Sequence, residues 1–271
     1  MSCAVNVLAD SIAPNGVRLT TLQLRYWRAI HSEFMTHRVF SRNASSSRAI
    51  PIKKVIQQVW NDPAGPVYWG ANQPGMQAST ELTGWRNRIA RFLWRLASKV
   101  ACGFAWCLME VGLHKQVANR LLEPWQRINV LVTSTEWDNF FNLRCHPDAQ
   151  PEIKELAEAI RGALASSVPK FLNIGEWHLP YITEDELTKY DVGTLVKVST
   201  ARSARVSYLT FDNKPSKLED DIRLHDRLVV AEPMHASPAE HQATPLETDA
   251  FCRNFRGWRQ YRDFLEAKQQ I

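Results

Sequence analysis

The stretch Thr36-His37-Arg38-Val39-Phe40-Ser41-Arg42-Asn43-Ala44-Ser45-Ser46-Ser47-Arg48, called the Ser/Arg stretch below, concentrates polar chemistry in this chain. It contains three arginines, and neither proline nor glycine interrupts it. A guanidinium offers a fixed fork of donors that suits phosphate or carboxylate, and serine-rich turns also expose backbone N–H groups to anions. The stretch therefore predicts an anion-binding turn for a phosphorylated small molecule. A solvated Ser/Arg linker is the alternative that composition leaves open.

Ordered elements are predicted on both sides of this stretch. Alternating residues predict a strand over 17–26, and a short helical pattern covers residues 30–35. Pro51 suits the first position of a helix over residues 51–61. Residues 62–78 are rich in proline and glycine and predict a long loop. The loop either covers the site or is a plain surface excursion.

Composition limits the class of protein. The 271 residues suffice for one large domain or two small ones, and 45% apolar residues with ten tryptophans indicate a globular chain. A formal charge of +5 fits anionic ligands but is too small to assign nucleic acid. The five cysteines form no CxxC pair, which favours reduced thiols and a cytoplasmic location. The beginning of the chain has no signal-peptide pattern.

The remaining chain predicts mostly helices. Residues 82–112 form the longest helical pattern, and Arg95, Lys99 and Glu110 within its apolar part favour a buried helix over a membrane span. A short strand is predicted over residues 128–132. Further helices are predicted over residues 115–122, from Thr133 to Arg144, and over 151–166, 192–207, 218–230 and 249–267. His178 has no second ligand at usable spacing, so we expect a structural histidine and no metal site.

Five blocks of the sequence resemble the flavin-dependent thymidylate synthases. The Ser/Arg stretch matches at His37-Arg38, Ser41, Asn43, Ser46 and Arg48. The other four blocks are Ala118–Pro124, Asn139–Arg144 with Gln150, Ala204–Tyr208 and His235–His241. In the common arrangement of that family the last two blocks come first, so the chain resembles a circularly permuted, phage-like member.

The resemblance implies a fold and a domain organisation. We expect an α+β fold in which mixed helices surround a small, largely antiparallel sheet. One domain should span residues 1–271, with a nucleotide-binding part over 1–167 and a permuted flavin-binding part over 190–271. Permutation is tolerated where the original termini lie close together at the surface. It therefore predicts that residues 204–262 pack beside residues 17–48.

The resemblance also implies a reaction. Members of the family methylate dUMP reductively, with 5,10-methylenetetrahydrofolate as one-carbon donor, FAD as hydride carrier and NADPH as the source of electrons. We therefore expect a methyltransferase that forms dTMP, a small-molecule nucleotide substrate, a homotetramer, no membrane partner and no nucleic acid. The alternatives are a methylase or hydroxymethylase of dUMP or dCMP on the same scaffold, and a non-catalytic protein that binds nucleotides or nucleic acid.

Site residues are carried over by position. Arg144 corresponds to the arginine that faces the pyrimidine ring, where a guanidinium would stabilise developing negative charge. The dUMP-binding set is completed by Ser46, Ser47, Arg48 and Arg120. The positions that contact FAD are Arg38, Val39, Asn139, Ser207, Ser237 and Glu240, and His37 and His235 match histidines near flavin and folate.

Three positions depart from the family pattern. Thr36 replaces an arginine, Ala44 replaces the usual glutamate, and Thr135 stands where an arginine often binds flavin. Other groups must supply those contacts, or the substrate differs. Cys145 lies beside Arg144, but the family uses no enzyme nucleophile, so we expect this cysteine to be structural.

Overall fold

The computed structural model describes residues 2–206, 216–232 and 234–269 as an α+β fold. The strands are β1 (Ala4–Ile12), β2 (Arg18–Trp27), β3 (Ser41–Ala44), β4 (Arg127–Ser134), β5 (Lys170–Phe171), β6 (Ala243–Pro245), β7 (Phe251–Cys252), β8 (Phe255–Arg256) and β9 (Trp258–Gln260). The helices are α1 (His31–Phe34), α2 (Ile52–Asn61), α3 (Gly84–Glu110), α4 (Lys115–Ala118), α5 (Asp138–Arg144), α6 (Pro151–Ser166), α7 (Glu184–Lys189), α8 (Val192–Arg205), α9 (Leu218–Val230) and α10 (Tyr261–Gln269). Short 3-10 turns cover Arg28–Ile30, Asn119–Trp125 and Ser237–Glu240.

The main sheet has the strand order β3-β4-β2-β1-β5, and only the β1–β5 pair is parallel. The predicted α+β class and the largely antiparallel sheet are therefore confirmed. Strand β2 places Leu22, Leu24 and Tyr26 on the buried face. These side chains pack with β4 and with α6, whose buried residues recur at helical spacing: Ile153, Leu156, Ala157, Ile160 and Leu164. Strand β1 was not predicted, because Asn6, Asp10 and a bulge between Val7 and Ala9 break its alternation.

A buried chain of hydrogen bonds ties the sheet to later segments. His178 lies 2.8 Å from Ser11 through Nδ1 and 2.7 Å from Thr21 through Nε2. Thr21 bonds Thr133, whose hydroxyl lies 2.8 Å from Nδ1 of His241. All five side chains are at least 96% buried. The structural role predicted for His178 is confirmed by these contacts, because both ring nitrogens are used within the core.

Two predicted helices are wrong in part. Strand β4 continues to Ser134, and α5 begins only at Asp138, because the Ser134 hydroxyl accepts from the Glu136 backbone in an intervening turn. Residues 251–260 form β7, β8 and β9 instead of a helix, and α10 begins at Tyr261. Gly257 has φ 71°, a left-handed conformation that ends a helical path but suits the turn between β8 and β9.

Helix α3 confirms the long predicted helix but not its predicted burial. It packs on α2 through a narrow face made of Ser98, Ala101, Cys102 and Ala105. It is the one helix of the described chain that is long and apolar enough to cross a membrane, yet only 22% of its most apolar window is buried. The pattern indicated an apolar face correctly, but that face points to solvent.

The C-terminal segment packs beside the Ser/Arg stretch, as the permuted order predicts. Asn254 donates to the Val39 carbonyl at 3.1 Å and to the Ser41 hydroxyl at 2.9 Å. Gln260 also donates to Ser41, and Asn43 donates to the Ser203 carbonyl at 2.8 Å. The predicted proximity of the two regions is therefore present, whereas the permuted origin of this chain order stays a prediction.

Candidate active site

Arg144 joins the Ser/Arg stretch to α5. Its Nε donates to Nε2 of His37 at 3.0 Å, and its Nη1 forms an ion pair with Glu33. A third, longer contact of 3.4 Å runs from Nη2 to the Thr36 hydroxyl. The guanidinium side chain is 18% exposed, so it is held in one place while an edge remains open. Two predicted site residues, Arg144 and His37, are thus in direct contact.

A cavity of about 430 Å³ lies next to this contact. The Ser/Arg stretch supplies Thr36, His37, Arg38 and Val39 to its wall. The α5 side supplies Glu136, Asp138, Asn139, Phe140 and Leu143. Four of the predicted residues, His37, Arg38, Val39 and Asn139, therefore line one cavity. Its wall combines apolar side chains with one guanidinium and two carboxylates.

His37 is held neutral inside this wall. Its ring is 6% exposed and lies 4.9 Å from Phe140 and 5.7 Å from Phe40 between ring centroids. Burial, and then the nearby cations of Arg144 and Arg42, lower the pKa of His37 to about 4. At neutral pH the ring is therefore uncharged, and because Arg144 donates to Nε2, the single ring proton is assigned to Nδ1.

A second group of predicted residues meets around Glu123. The buried Ser47 hydroxyl donates to Oε1 of Glu123 at 2.9 Å, and Arg120 pairs with the same carboxylate at 3.1 Å. Asn119 fixes the turn through bonds to the Ser47 and Ile50 carbonyls. Arg48 is exposed at the end of this turn, and no described carboxylate pairs with it. The Ser46 hydroxyl accepts from the Arg48 backbone at 3.3 Å.

The predicted residues of the C-terminal part lie elsewhere. Glu240 accepts from Arg262 at 2.5 Å, and the turn Ser237–Glu240 packs against β3. Ser237 and His235 are exposed, and neither lines the cavity beside His37. Ser207 lies outside the described residues. The structure therefore does not join Glu240, Ser237 and His235 to the candidates that line the cavity beside His37.

Two guanidinium groups lie next to the departures from the family pattern. The Thr135 hydroxyl accepts from the Arg256 backbone at 3.1 Å, and the Arg256 side chain pairs with Glu136 at 2.8 Å. Glu136 itself lines the cavity. Arg42 donates to the Met35 and His37 carbonyls, on either side of Thr36. The chain thus supplies a cation near each missing arginine, from another sequence position.

A family model for the thymidylate synthase complementing proteins, Thy1, matches residues 19–170. The match covers more than half of the chain and contains the Ser/Arg stretch, Arg120 and α5. The chain belongs to the Thy1 family. The predicted resemblance to the flavin-dependent thymidylate synthases is therefore confirmed. The Thy1 match ends before residues 204–241, which carry the two blocks that the permuted order places last.

Solved structures were compared as well. A UMP/dUMP methylase, PolB, from Streptomyces cacaoi, bound with 5-Br UMP, is 16% identical with a TM-score of 0.48, over 60% of this chain and 88% of that chain. The same methylase bound with 5-Br dUMP is 17% identical with a TM-score of 0.46, over 60% of this chain and 90% of that chain. Thymidylate Synthase X from Helicobacter pylori, with FAD and dUMP, is 14% identical with a TM-score of 0.39, over 54% of this chain and 67% of that chain. No curated protein matches this Thy1 chain.

Sequence reasoning missed three carboxylate or guanidinium partners in this Thy1 chain. Glu33 holds Arg144, Glu123 gathers Ser47 and Arg120, and Arg256 stands beside Thr135. Glu123 lies inside the Ala118–Pro124 block, so its position was available as a signal. Glu33 and Arg256 carry no such signal, because only the folded chain brings them to Arg144 and Thr135.

Cys145 is half-buried against the main core, and burial raises its pKa. A raised pKa disfavours the thiolate, which is the nucleophilic form of cysteine. These observations agree with the structural role expected for Cys145.

The buried histidines predict how stability depends on pH. Burial lowers the pKa of His37 to about 4 and those of His178 and His241 to about 3. The unfolded chain protonates these rings below about pH 6.5, whereas the folded chain holds them neutral. The free energy of unfolding should therefore fall between pH 6.5 and 5, by up to about 1.4 kcal/mol per pH unit for each ring.

Urea unfolding at pH 7, 6 and 5 measures this slope. His146→Gln, at an exposed histidine, is the control for the effect of a histidine substitution itself. A free energy of unfolding that stays level or rises as the pH is lowered to 5 would contradict the assignment of these rings as neutral and buried.

Proposed function

We propose that this Thy1 chain methylates dUMP to dTMP, with methylenetetrahydrofolate as one-carbon donor and with FAD and NADPH as the reducing system. Membership of the family supports the reaction class. The observation that carries the proposal is the bond from Arg144 to neutral His37, beside a cavity lined by residues of the Ser/Arg stretch and of the Asn139–Arg144 block. It places a fixed positive charge at the rim of a space able to hold a ring.

Arg144 would act on the pyrimidine. When C5 of the uracil ring attacks a one-carbon unit, negative charge develops on the ring and its carbonyl oxygens. A guanidinium that is already oriented stabilises that charge without a reorganisation cost. His37 and Glu33 provide the orientation, since they occupy Nε and Nη1 of Arg144 from the side of the protein. His37 is thus a positioning residue in this proposal.

The cavity fits the ring system of a flavin better than its phosphates. Val39, Phe140 and Leu143 offer apolar surface for a flat ring, and Asn139 offers an amide. Glu136 and Asp138 disfavour a phosphate at the same wall. We assign Arg38, Val39 and Asn139 to this ring, and Ser207, Ser237 and Glu240 to the remainder of the cofactor. Bound FAD supplies a hydride equivalent that it regains from NADPH.

The group around Glu123 would bind the nucleotide. Arg48 follows the Ser46–Ser47 turn and is exposed, and the exposed Arg120 shares the Glu123 carboxylate with Ser47. A phosphate accepts bidentate bonds from guanidinium groups and further bonds from hydroxyls. We therefore assign the phosphate of dUMP to Arg48 and Ser46, with Ser47 and Arg120 on the sugar side. The carboxylate of Glu123 keeps Arg120 and Ser47 in place.

Arg256 is proposed to replace the arginine missing at Thr135. Its backbone bonds Thr135 and its side chain reaches Glu136 at the cavity. Arg256→Ala should weaken FAD binding about tenfold, the loss expected for one charge-assisted hydrogen bond. Titration of the apoprotein with FAD, followed by flavin fluorescence, measures the Kd. Arg259→Ala is the matched control, because Arg259 pairs with Asp263, which does not line the cavity, whereas Arg256 pairs with Glu136, which does. Equal Kd values for Arg256→Ala and wild type would refute the replacement.

We further propose a homotetramer in the cytoplasm, built from one domain that spans residues 1–271. The two parts at 1–167 and 190–271 form that domain together, in line with the contacts of Asn254 and Gln260 to Ser41. Both the assembly and the location follow from the family resemblance.

The mass of the nucleotide product tests the proposed reaction. Purified protein is incubated without oxygen with FAD, NADPH, methylenetetrahydrofolate and dUMP, and the nucleotide is analysed by mass spectrometry. A product with the mass of dTMP supports the proposal. A hydroxymethyl product, or conversion of dCMP with dUMP untouched, would replace it by the related reactions on this scaffold. Failure to take up FAD would favour a non-catalytic nucleotide-binding protein.

A further inference from the structure

Helix α3 carries a continuous stripe of exposed apolar side chains. The α3 stripe comprises Trp85, Ile89, Phe92, Leu93, Leu96, Val100 and Phe104. Each of these side chains is between 45% and 67% exposed. Their spacing of three and four residues keeps them on one side of the helix, within an arc of roughly 120°. The stripe is about 28 Å long at 1.5 Å per residue.

The stripe is on the opposite side from the packed face. Ser98, Ala101, Cys102 and Ala105 contact α2, and at 100° per residue their mean direction lies roughly 170° from that of the stripe. The helix therefore has two apolar faces, of which residues 2–206, 216–232 and 234–269 cover one. A helix with water on one side normally keeps polar residues there, so the second apolar face indicates a partner.

The area suits an interface between proteins. A fully exposed aromatic side chain has a surface of about 200 Å², and an aliphatic one about 150 Å². Multiplied by their exposed fractions, the seven side chains of the α3 stripe expose roughly 700 Å². The largest apolar patch on an ordinary monomer is about 300–600 Å², whereas a standard interface takes about 800 Å² from each partner. The stripe with its immediate neighbours therefore reaches the size that a stable dimer needs.

The charges on α3 favour a second copy of the chain as the partner and an antiparallel orientation of the two helices. The first sixteen positions hold Arg86, Arg88, Arg91, Arg95 and Lys99, whereas the last eleven contain no cation and end at Glu110. An antiparallel second copy would set the cation-rich half of each helix against the cation-free half of the other. There the exposed Glu110 can pair with an arginine of the other copy. A parallel pair would place the cations of both copies together.

We propose that α3 pairs antiparallel with α3 of a second copy of this chain, across a two-fold axis near Leu96. Each copy then presents the same surface to the other, as an isologous dimer requires. Two residues that face each other across this axis lie equally far from Leu96 along the chain, on opposite sides of it. Ile89 of one copy therefore lies near Gly103 of its partner. The pairing rests on the exposed face and its charges, and it does not depend on the proposed reaction.

The first test measures mass in solution. Sedimentation velocity of the wild-type chain should show an even number of copies at micromolar concentration. Leu96→Glu should weaken the association at least 100-fold and halve the mass, because two buried carboxylates would meet at the axis. Val168→Glu is the control, since Val168 is 89% exposed and lies off the stripe. An unchanged mass for Leu96→Glu would overturn the proposal, and so would a wild-type monomer that binds anionic lipid vesicles.

The second test measures orientation without a charge in the interface. In a Cys107→Ser background, which removes the exposed native thiol of α3, oxidation should link Leu96→Cys to itself as a covalent dimer on a non-reducing gel. Ile89→Cys should not link to itself but should link to Gly103→Cys when the two variants are mixed. A disulfide between two copies of Ile89→Cys would show a parallel pair. The absence of any Leu96→Cys dimer would refute a two-fold axis near Leu96. Turnover of dUMP by a Leu96→Glu variant of half the wild-type mass would leave the reaction intact while confirming the interface.

Discussion

Arg144→Ala is expected to lower kcat for dUMP by roughly 10²–10³-fold, the cost of removing one oriented donor from a developing negative charge. The variant should still fold, with a free energy of unfolding lower by about 1–3 kcal/mol, because the change leaves the largely buried Glu33 and His37 without their partner. Steady-state kinetics with saturating cofactors measures kcat, and a thermal melt measures folding. Arg161→Ala, an exposed change on α6, is the control.

Conservative variants separate charge from orientation. Arg144→Lys keeps the positive charge, but an ammonium cannot reproduce the planar fork that reaches His37 and Glu33 at once. It should therefore retain only a small part of the activity. His37→Gln removes the neutral imidazole acceptor and should lower kcat less than Arg144→Ala does. If Arg144→Ala turned over dUMP at a near-normal rate, the electrostatic role assigned to this guanidinium would be wrong.

Arg48→Ala is expected to raise the Kd of dUMP by roughly 10–150-fold, which corresponds to the 1.5–3 kcal/mol of a hydrogen bond to a charged group. The reason is that Arg48 is exposed, at the end of the Ser46–Ser47 turn, without a described carboxylate partner. The value of kcat at saturating dUMP should stay within a few fold, because the phosphate lies away from the reacting carbon.

Deoxyuridine gives the control for that prediction. It lacks the phosphate, so wild type and Arg48→Ala should bind it with the same weak affinity in a calorimetric titration. A dUMP affinity unchanged by Arg48→Ala would remove Arg48 from the phosphate site. An equal loss for deoxyuridine and dUMP would mean that the change distorts the turn, which Asn119 holds through the Ser47 and Ile50 carbonyls.

The sequence was most informative where periodicity and motif coincided. The strands β2 and β4 and the helices α2, α6 and α9 occur close to their predicted positions, because their buried residues recur at the period of the element. Arg144, His37, Arg38, Val39 and Asn139 were all proposed from motif positions, and the fold brings them to one cavity or its rim.

Tertiary context decided the remainder. A helix was predicted over residues 249–267, yet Phe255 and Trp258 are buried in the core and draw residues 251–260 into short strands. The apolar pattern of α3 gave the helix and its stripe, but a single sequence does not show whether such a stripe meets its own core or another chain. The contacts of Glu33 with Arg144 and of Arg256 with Thr135 could not be predicted for a similar reason, since these partners are distant in sequence.

Release of the C5 hydrogen tests the central claim most directly. Joining a carbon to C5 of dUMP must expel that hydrogen, whether the product is methylated or hydroxymethylated. With dUMP tritiated at C5, the wild-type protein should release tritium to water when FAD, NADPH and methylenetetrahydrofolate are present, and Arg144→Ala should release it roughly 10²–10³-fold more slowly. A wild-type protein that takes up and reduces FAD but releases no tritium would contradict the account of this site.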